Sequence, residues 1–191
     1  LLMAGGGDLT SWQRHSLKVS EIAETIAIAL KKSGFPVDVE YCKVAGVLHD
    51  IGRKVCHGLL HGYRGYQMLE KTSLSGFAKS CVSHWLKGRS EAQILKEGSL
   101  SPQLVREVLA RDDFTTLSLE EKVVCVADAL AARQDITSIA KRYAEARKRY
   151  GNGLWIDTNE RLTVQFKKEI EALLGRDLYT LFAELREETA P

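Results

Sequence analysis

Apolar residues recur at intervals of three and four along almost the whole chain, and this spacing fixes the fold class before any motif is considered. His15, Val19, Ile22, Ile26 and Ala29 fall on one face of a helix predicted over 11–32, which Ser33-Gly34 and Pro36 bring to an end. A second helix is predicted after Asp38. It carries the apolar run Val44-Ala45-Gly46-Val47-Leu48 into His49-Asp50-Ile51-Gly52, where the glycine marks a terminus or bend. Further helices are expected near 61–71, 74–87 and 102–111, the last opened by Ser101-Pro102. Ser118-Leu119-Glu120-Glu121 reads as a capping box ahead of Val123-Val124-Cys125-Val126. A charged helix follows residue 135 and runs to about Tyr150. Gly151-Asn152-Gly153 then makes a turn, and two more helices are expected at 158–174 and 177–188.

No segment alternates with a period of two, so the expectation is an all-α single domain. Its parts are a flexible segment over 1–10, a main helical bundle over 11–150 and a C-terminal helical extension over 151–191 packed on the same domain. With 191 residues and 45% hydrophobic content, the chain is large enough to bury a core. The net charge of +2 gives no footprint for nucleic acid, although 13 basic residues against 9 acidic ones in the first hundred make that half mildly cationic. Cys42, Cys56, Cys81 and Cys125 form no CxxC pair and read as reduced thiols of a cytoplasmic protein. Gly5-Gly6-Gly7 does not end in Gly-Lys-Ser/Thr and is no phosphate loop, no GxSxG elbow is present, and no window has the apolar length of a membrane span. Trp12, Trp85 and Trp155 read as packing residues.

The chemistry lies in where the histidines fall. His15 and His84 sit on apolar helix faces, where a core histidine with a satisfied hydrogen bond is the ordinary explanation. His49-Asp50 reads equally as a polar helix end. Asp128 is harder to explain that way, because it interrupts a continuous apolar run and would be buried at a cost of several kcal/mol unless paired or bound to a cation. Imidazoles and carboxylates pointing inward from separate helices of one bundle form a metal site without a dedicated loop.

The order His15, His49-Asp50, Asp128 resembles the H…HD…D pattern of the HD superfamily of metal-dependent phosphohydrolases, with the central motif in its HDIG form, over about residues 11–135. The resemblance implies an HD-domain helical bundle. His61-Gly62-Tyr63-Arg64-Gly65 and Cys81-Val82-Ser83-His84 look like the segments that add two histidines in the fuller set. On that likeness His15, His49, Asp50 and Asp128 surround one metal, and His61 and His84 surround another with Asp50 bridging. His57 matches no motif position and reads as a loop histidine.

The implied cofactor is one or two divalent ions, with Mn, Fe, Co, Ni or Zn favoured over Mg by the mixed imidazole and carboxylate donors. The implied reaction is hydrolysis of a phosphoester or phosphoanhydride by metal-activated water, with His49, Asp50 and Arg53 as the catalytic group. Arg53 replaces the lysine of HDIGK and changes the hydrogen-bond geometry there. Arg53, Lys54, Lys87, Arg89 and Arg133 are the candidate cations for the substrate. The chain lacks the Gly-Tyr-Pro tripeptide of cyclic dinucleotide phosphodiesterases and the Glu-Asp dipeptide of alarmone hydrolases. It therefore resembles the small bacterial hydrolases of nucleotides or dinucleoside polyphosphates. The expected partner is a small phosphorylated molecule, with no nucleic acid and no membrane, and a homodimer is left open. Two other classes compete: a non-catalytic nucleotide-binding or regulatory module on the same fold, and a di-iron oxygenase.

Overall fold

A computed structural model describes residues 8–188 of the chain. The glycine run at 5–7 and the rest of the expected flexible segment before Asp8 lie outside the described residues. Helix α1 spans Ser11–Lys32, as its periodicity requires, with Thr10 N–H donating to Gln13 Oε1 at 2.7 Å and Lys31 and Lys32 at the end where the helix dipole favours cations. Helix α2 spans Val39–Leu48 and is capped by Asp38, whose side chain accepts from Tyr41 N–H at 2.9 Å. A 3-10 turn, Ile51–Lys54, follows immediately. Next come α3 (His61–Leu69), a 3-10 turn at Ser75–Phe77 leading into α4 (Ala78–Leu86), α5 (Glu91–Glu97) and α6 (Pro102–Leu109). Helix α7 (Leu119–Leu130) begins at the predicted capping box: Ser118 N–H donates to Glu121 Oε2 at 2.9 Å, and Glu121 N–H donates to Ser118 Oγ at 3.2 Å.

The C-terminal third departs from expectation in two places. A two-stranded antiparallel hairpin, β1 (Ala131–Ala132) and β2 (Asp135–Ile136), separates α7 from α8 (Ile139–Tyr150). Its two residues per strand leave no room for the alternation by which a strand is recognised. After α9 (Leu154–Leu174) the expected helix over 177–188 is instead a pair of 3-10 segments, Leu178–Leu181 and Ala183–Glu188. They are broken at Phe182, whose extended backbone turns its ring into the core. The fold is all-α apart from this small sheet. Among the described residues no helix is long and apolar enough to cross a membrane.

Two apolar clusters organise the bundle. One joins Val19, Ile22, Ile26 and Leu30 of α1 to Val123, Val126 and Leu130 of α7 and to Phe166 and Ile170 of α9. The other gathers Tyr63, Tyr66, Leu69, Cys81, Val82 and Leu86 of α3 and α4 with Val105, Val108 and Phe114. Because Ile170 is fully buried between α1 and α7, α9 closes the first cluster from the side. Shortening it to valine removes one buried methylene, so Ile170→Val is expected to lower stability by about 1 kcal/mol, readable as a shifted denaturation midpoint. An unchanged midpoint would show that α9 is dispensable to the core.

All four cysteines are free thiols. Burial pushes the Cys42 thiol up to about 12, which leaves it unreactive at neutral pH.

Candidate metal centre

The donor residues come from the elements of both clusters. His15 lies on α1, His49 caps α2, Asp50 opens the 3-10 turn, His61 begins α3, His84 lies near the end of α4 and Asp128 near the end of α7. The fold brings these six side chains close together. His15 Nε2 lies 3.0 Å from Asp128 Oδ1, and His49 Nε2 lies 3.8 Å from that same oxygen and 3.7 Å from Asp50 Oδ2. Asp50 Oδ1 is 3.2 Å from His61 Nε2 and 3.6 Å from His84 Nε2, and the two imidazoles stand 3.2 Å apart. Two trios, His15/His49/Asp128 and His49/Asp50/His84, each have donor atoms within 4.8 Å of one another.

Local backbone sets the direction of the rings. His49 Nδ1 lies 2.7 Å from Gly46 O, His61 Nδ1 lies 2.8 Å from Gly58 O, and His84 Nδ1 lies 3.3 Å from Ser80 O. With each Nδ1–H donated to a carbonyl, the lone pair of each Nε2 is turned toward the shared space, the arrangement that orients metal-binding imidazoles. These carbonyls were not expected from the sequence. The available signal was a glycine three residues before both His49 and His61.

Glycines also let the elements approach. A Cβ on Gly52 would stand 2.0 Å from His61 O and 2.5 Å from Gly65 N, and one on Gly62 would stand 2.6 Å from Cys81 O. A buried hydrogen bond from Ser83 Oγ to Glu121 Oε1, 2.5 Å, ties α4 to α7 and so fixes His84 relative to Asp128. Glu121, read as a capping residue, therefore has a second role.

The donor set fits a divalent cation on its own chemistry. His49 Nε2 and Asp50 Oδ1 are buried and make no hydrogen bond, although burying such atoms unpaired is costly. Burial pushes His49 down and His84 well down, against the attraction of Asp50 and Asp128. Burial works to raise Asp50, but His49, His61, Arg53 and His84 outweigh it and hold the carboxyl well below its usual range. Asp128 is held low in the same way, burial being overcome by His15, His49 and His84.

The family model for the HD domain matches residues 12–133. The chain belongs to the HD domain family. An uncharacterized protein of Methanocaldococcus jannaschii is 34% identical over 133 residues, which cover 68% of this chain and 73% of that protein. No solved structure matches the chain. Membership places the protein in a superfamily of metal-dependent phosphohydrolases whose domains bind divalent metals, and the His/Asp clusters of this HD domain are capable of holding them.

The candidate cations around the HD centre divide sharply. Arg53 is 30% exposed and its Nε donates to Asp50 Oδ2 at 2.5 Å, which places it beside the centre. Lys54 is exposed on the same turn, and Arg133 is exposed at the tip of the β-hairpin. Arg89 is a correction. It is 1% exposed, its guanidinium pairs with Glu97 at 2.5 Å, donates to Leu86 O and Trp85 O, and lies 3.9 Å from the centre of the Trp155 ring. These contacts hold α9 against α4 and α5, and burial closes the guanidinium to a substrate. Lys87, also a candidate cation for the substrate, is buried as well. His57 is exposed in the loop before α3, as read.

Proposed function

We propose that the protein is a metal-dependent phosphohydrolase that cleaves a phosphoester or phosphoanhydride bond, with a nucleotide or dinucleoside polyphosphate as substrate. The observation that carries this reading is the convergence of four imidazoles and two carboxylates around buried donor atoms that have no hydrogen-bond partner. His15, His49, Asp50 and Asp128 would hold one ion, and His61 and His84 a second, with Asp50 shared. Mn, Fe, Co, Ni or Zn suits these donors better than Mg. When bound, such ions lower the pKa of a coordinated water toward neutrality and polarise a phosphoryl oxygen.

The chain's own residues supply the rest. The three backbone carbonyls hold the imidazoles in the ligating tautomer. Arg53 is engaged through Nε by Asp50 and keeps its outer nitrogens for an anionic phosphoryl group, a fork that a lysine at this place would not offer. Lys54 adds an exposed charge on the same turn. Arg133 stands further along the chain at the hairpin tip and is the weakest member of the cationic set.

Elemental analysis of protein purified without added metal, followed by phosphate release from a nucleotide panel with Mn, Co or Mg, tests the proposal. Bound transition metal with phosphate release supports it. Metal without turnover points to a regulatory module, and oxygen consumption without phosphate release points to a di-iron oxygenase. The second ion has its own test: a His61→Ala, His84→Ala double variant is expected to retain about half the bound metal, since two of the six donors serve that ion alone. Undiminished stoichiometry would remove His61 and His84 from the ligand set.

A further inference from the structure

Lys87 stands three residues beyond His84 and carries two costs at once. As the residue that ends α4 it adopts a left-handed backbone, φ 53° and ψ 39°, with its N–H donating to Ser83 O at 2.8 Å. For a residue with a side chain that conformation is disfavoured by roughly 1–2 kcal/mol. The turn carries the side chain inward, so that the residue is 3% exposed and its Nζ makes no hydrogen bond. Burying an ammonium without partners is costly in its own right, and a methionine would fill comparable space without that penalty. Packing alone therefore does not account for a lysine here.

The titratable groups that act electrostatically on the ammonium are Cys125 and Asp128 of α7, Tyr143 of α8 and Arg89. Burial pushes the Cys125 thiol up to about 11 and also raises Tyr143, whose hydroxyl shares a hydrogen bond with Thr163 Oγ1 at 2.9 Å. Both are neutral at pH 7. Arg89 is cationic and already held by Glu97. Asp128 is thus the one anion of this set, and it is the same carboxylate that meets His15 and His49.

We propose that Lys87 is a fixed internal cation of the metal centre: a positioning residue whose charge opposes that of the metal beside Asp128 and strengthens the field that draws an anionic substrate. The inference rests on the metal-centre reading given above. Each carboxylate of the centre then has its own counter-charge, but of different kinds. Arg53, on Asp50, is partly exposed and able to touch a substrate. Lys87 has no exposed nitrogen and acts through its field alone, which is strong because little water lies near it.

The test is titration calorimetry of the full-length wild type and Lys87→Met with Mn²⁺ alone, and then of the Mn²⁺-loaded proteins with inorganic phosphate. Removing the charge is expected to tighten Mn²⁺ binding about tenfold and to weaken phosphate binding about threefold, because the two ligands have opposite sign. Loosened packing would weaken both. Lys87→Gln removes the same charge and replaces the methionine variant if that protein fails to fold. Equal or weaker Mn²⁺ affinity in a folded variant overturns the inference and leaves the metal reading standing. A wild type that takes up no Mn²⁺ overturns both.

Discussion

Asp50→Ala is expected to strip the centre of metal and to lower phosphate release by about a thousandfold, the equivalent of several kcal/mol of lost transition-state stabilisation. Asp50 lies within 3.7 Å of three imidazoles, through Oδ1 to His61 and His84 and through Oδ2 to His49, and it also anchors Arg53. Losing it removes the carboxylate of the second trio, the ligand proposed to be shared by the two ions, and frees the guanidinium from its fixed position. The fold is expected to survive, since Arg53 is already partly exposed and gains access to water. Metal content by elemental analysis and activity on the best substrate are the two readouts. If both stayed at wild-type levels, the centre would have been placed on the wrong residues.

Gly52→Ala is expected to damage the fold itself, by about 3 kcal/mol or more. The added Cβ would meet His61 O at 2.0 Å and Gly65 N at 2.5 Å, and both are backbone atoms with no rotamer through which to yield. Relief requires α3 to lift off the 3-10 turn. Because the obstructing carbonyl is that of His61, the same movement draws its Nε2 away from Asp50 Oδ1, and metal content should fall together with stability. Gly58→Ala is the control in the adjacent loop. There the nearest atom to a Cβ is Cys56 Sγ at 3.9 Å, and its denaturation midpoint should match that of the wild type. Equal midpoints for both variants would mean that α3 and the turn are not packed as closely as described.

How much of this was legible in the sequence depended on whether the signal was local. Helix α1 declared itself through 22 residues of unbroken spacing, and the capping box at Ser118 fixed the start of α7. Asp128 was conspicuous because an apolar run does not tolerate a lone carboxylate. Helix α5 went unseen because its seven residues bury only Ile94, too little to create a periodicity. Arg89 was misread for a different reason. Its partners, Glu97 and Trp155, lie 8 and 66 residues away, and only the finished fold brings them to its guanidinium. Lys87 likewise read as a cation for the substrate, and the left-handed turn that buries it leaves no mark in the order of residues.

The hydrogen bond between His15 and Asp128 spans 113 residues of chain. Closing a loop of that length costs on the order of 4 kcal/mol in chain entropy, and a single imidazole–carboxylate contact cannot meet that cost. The two residues therefore come together only after α1 and α7 have packed through their apolar faces, which makes assembly of the centre a late event in folding. An unfolded chain presents its donors scattered and binds cations far more weakly. A metal held at this centre would accordingly act as a native-state ligand that slows unfolding and leaves the first collapse unaffected.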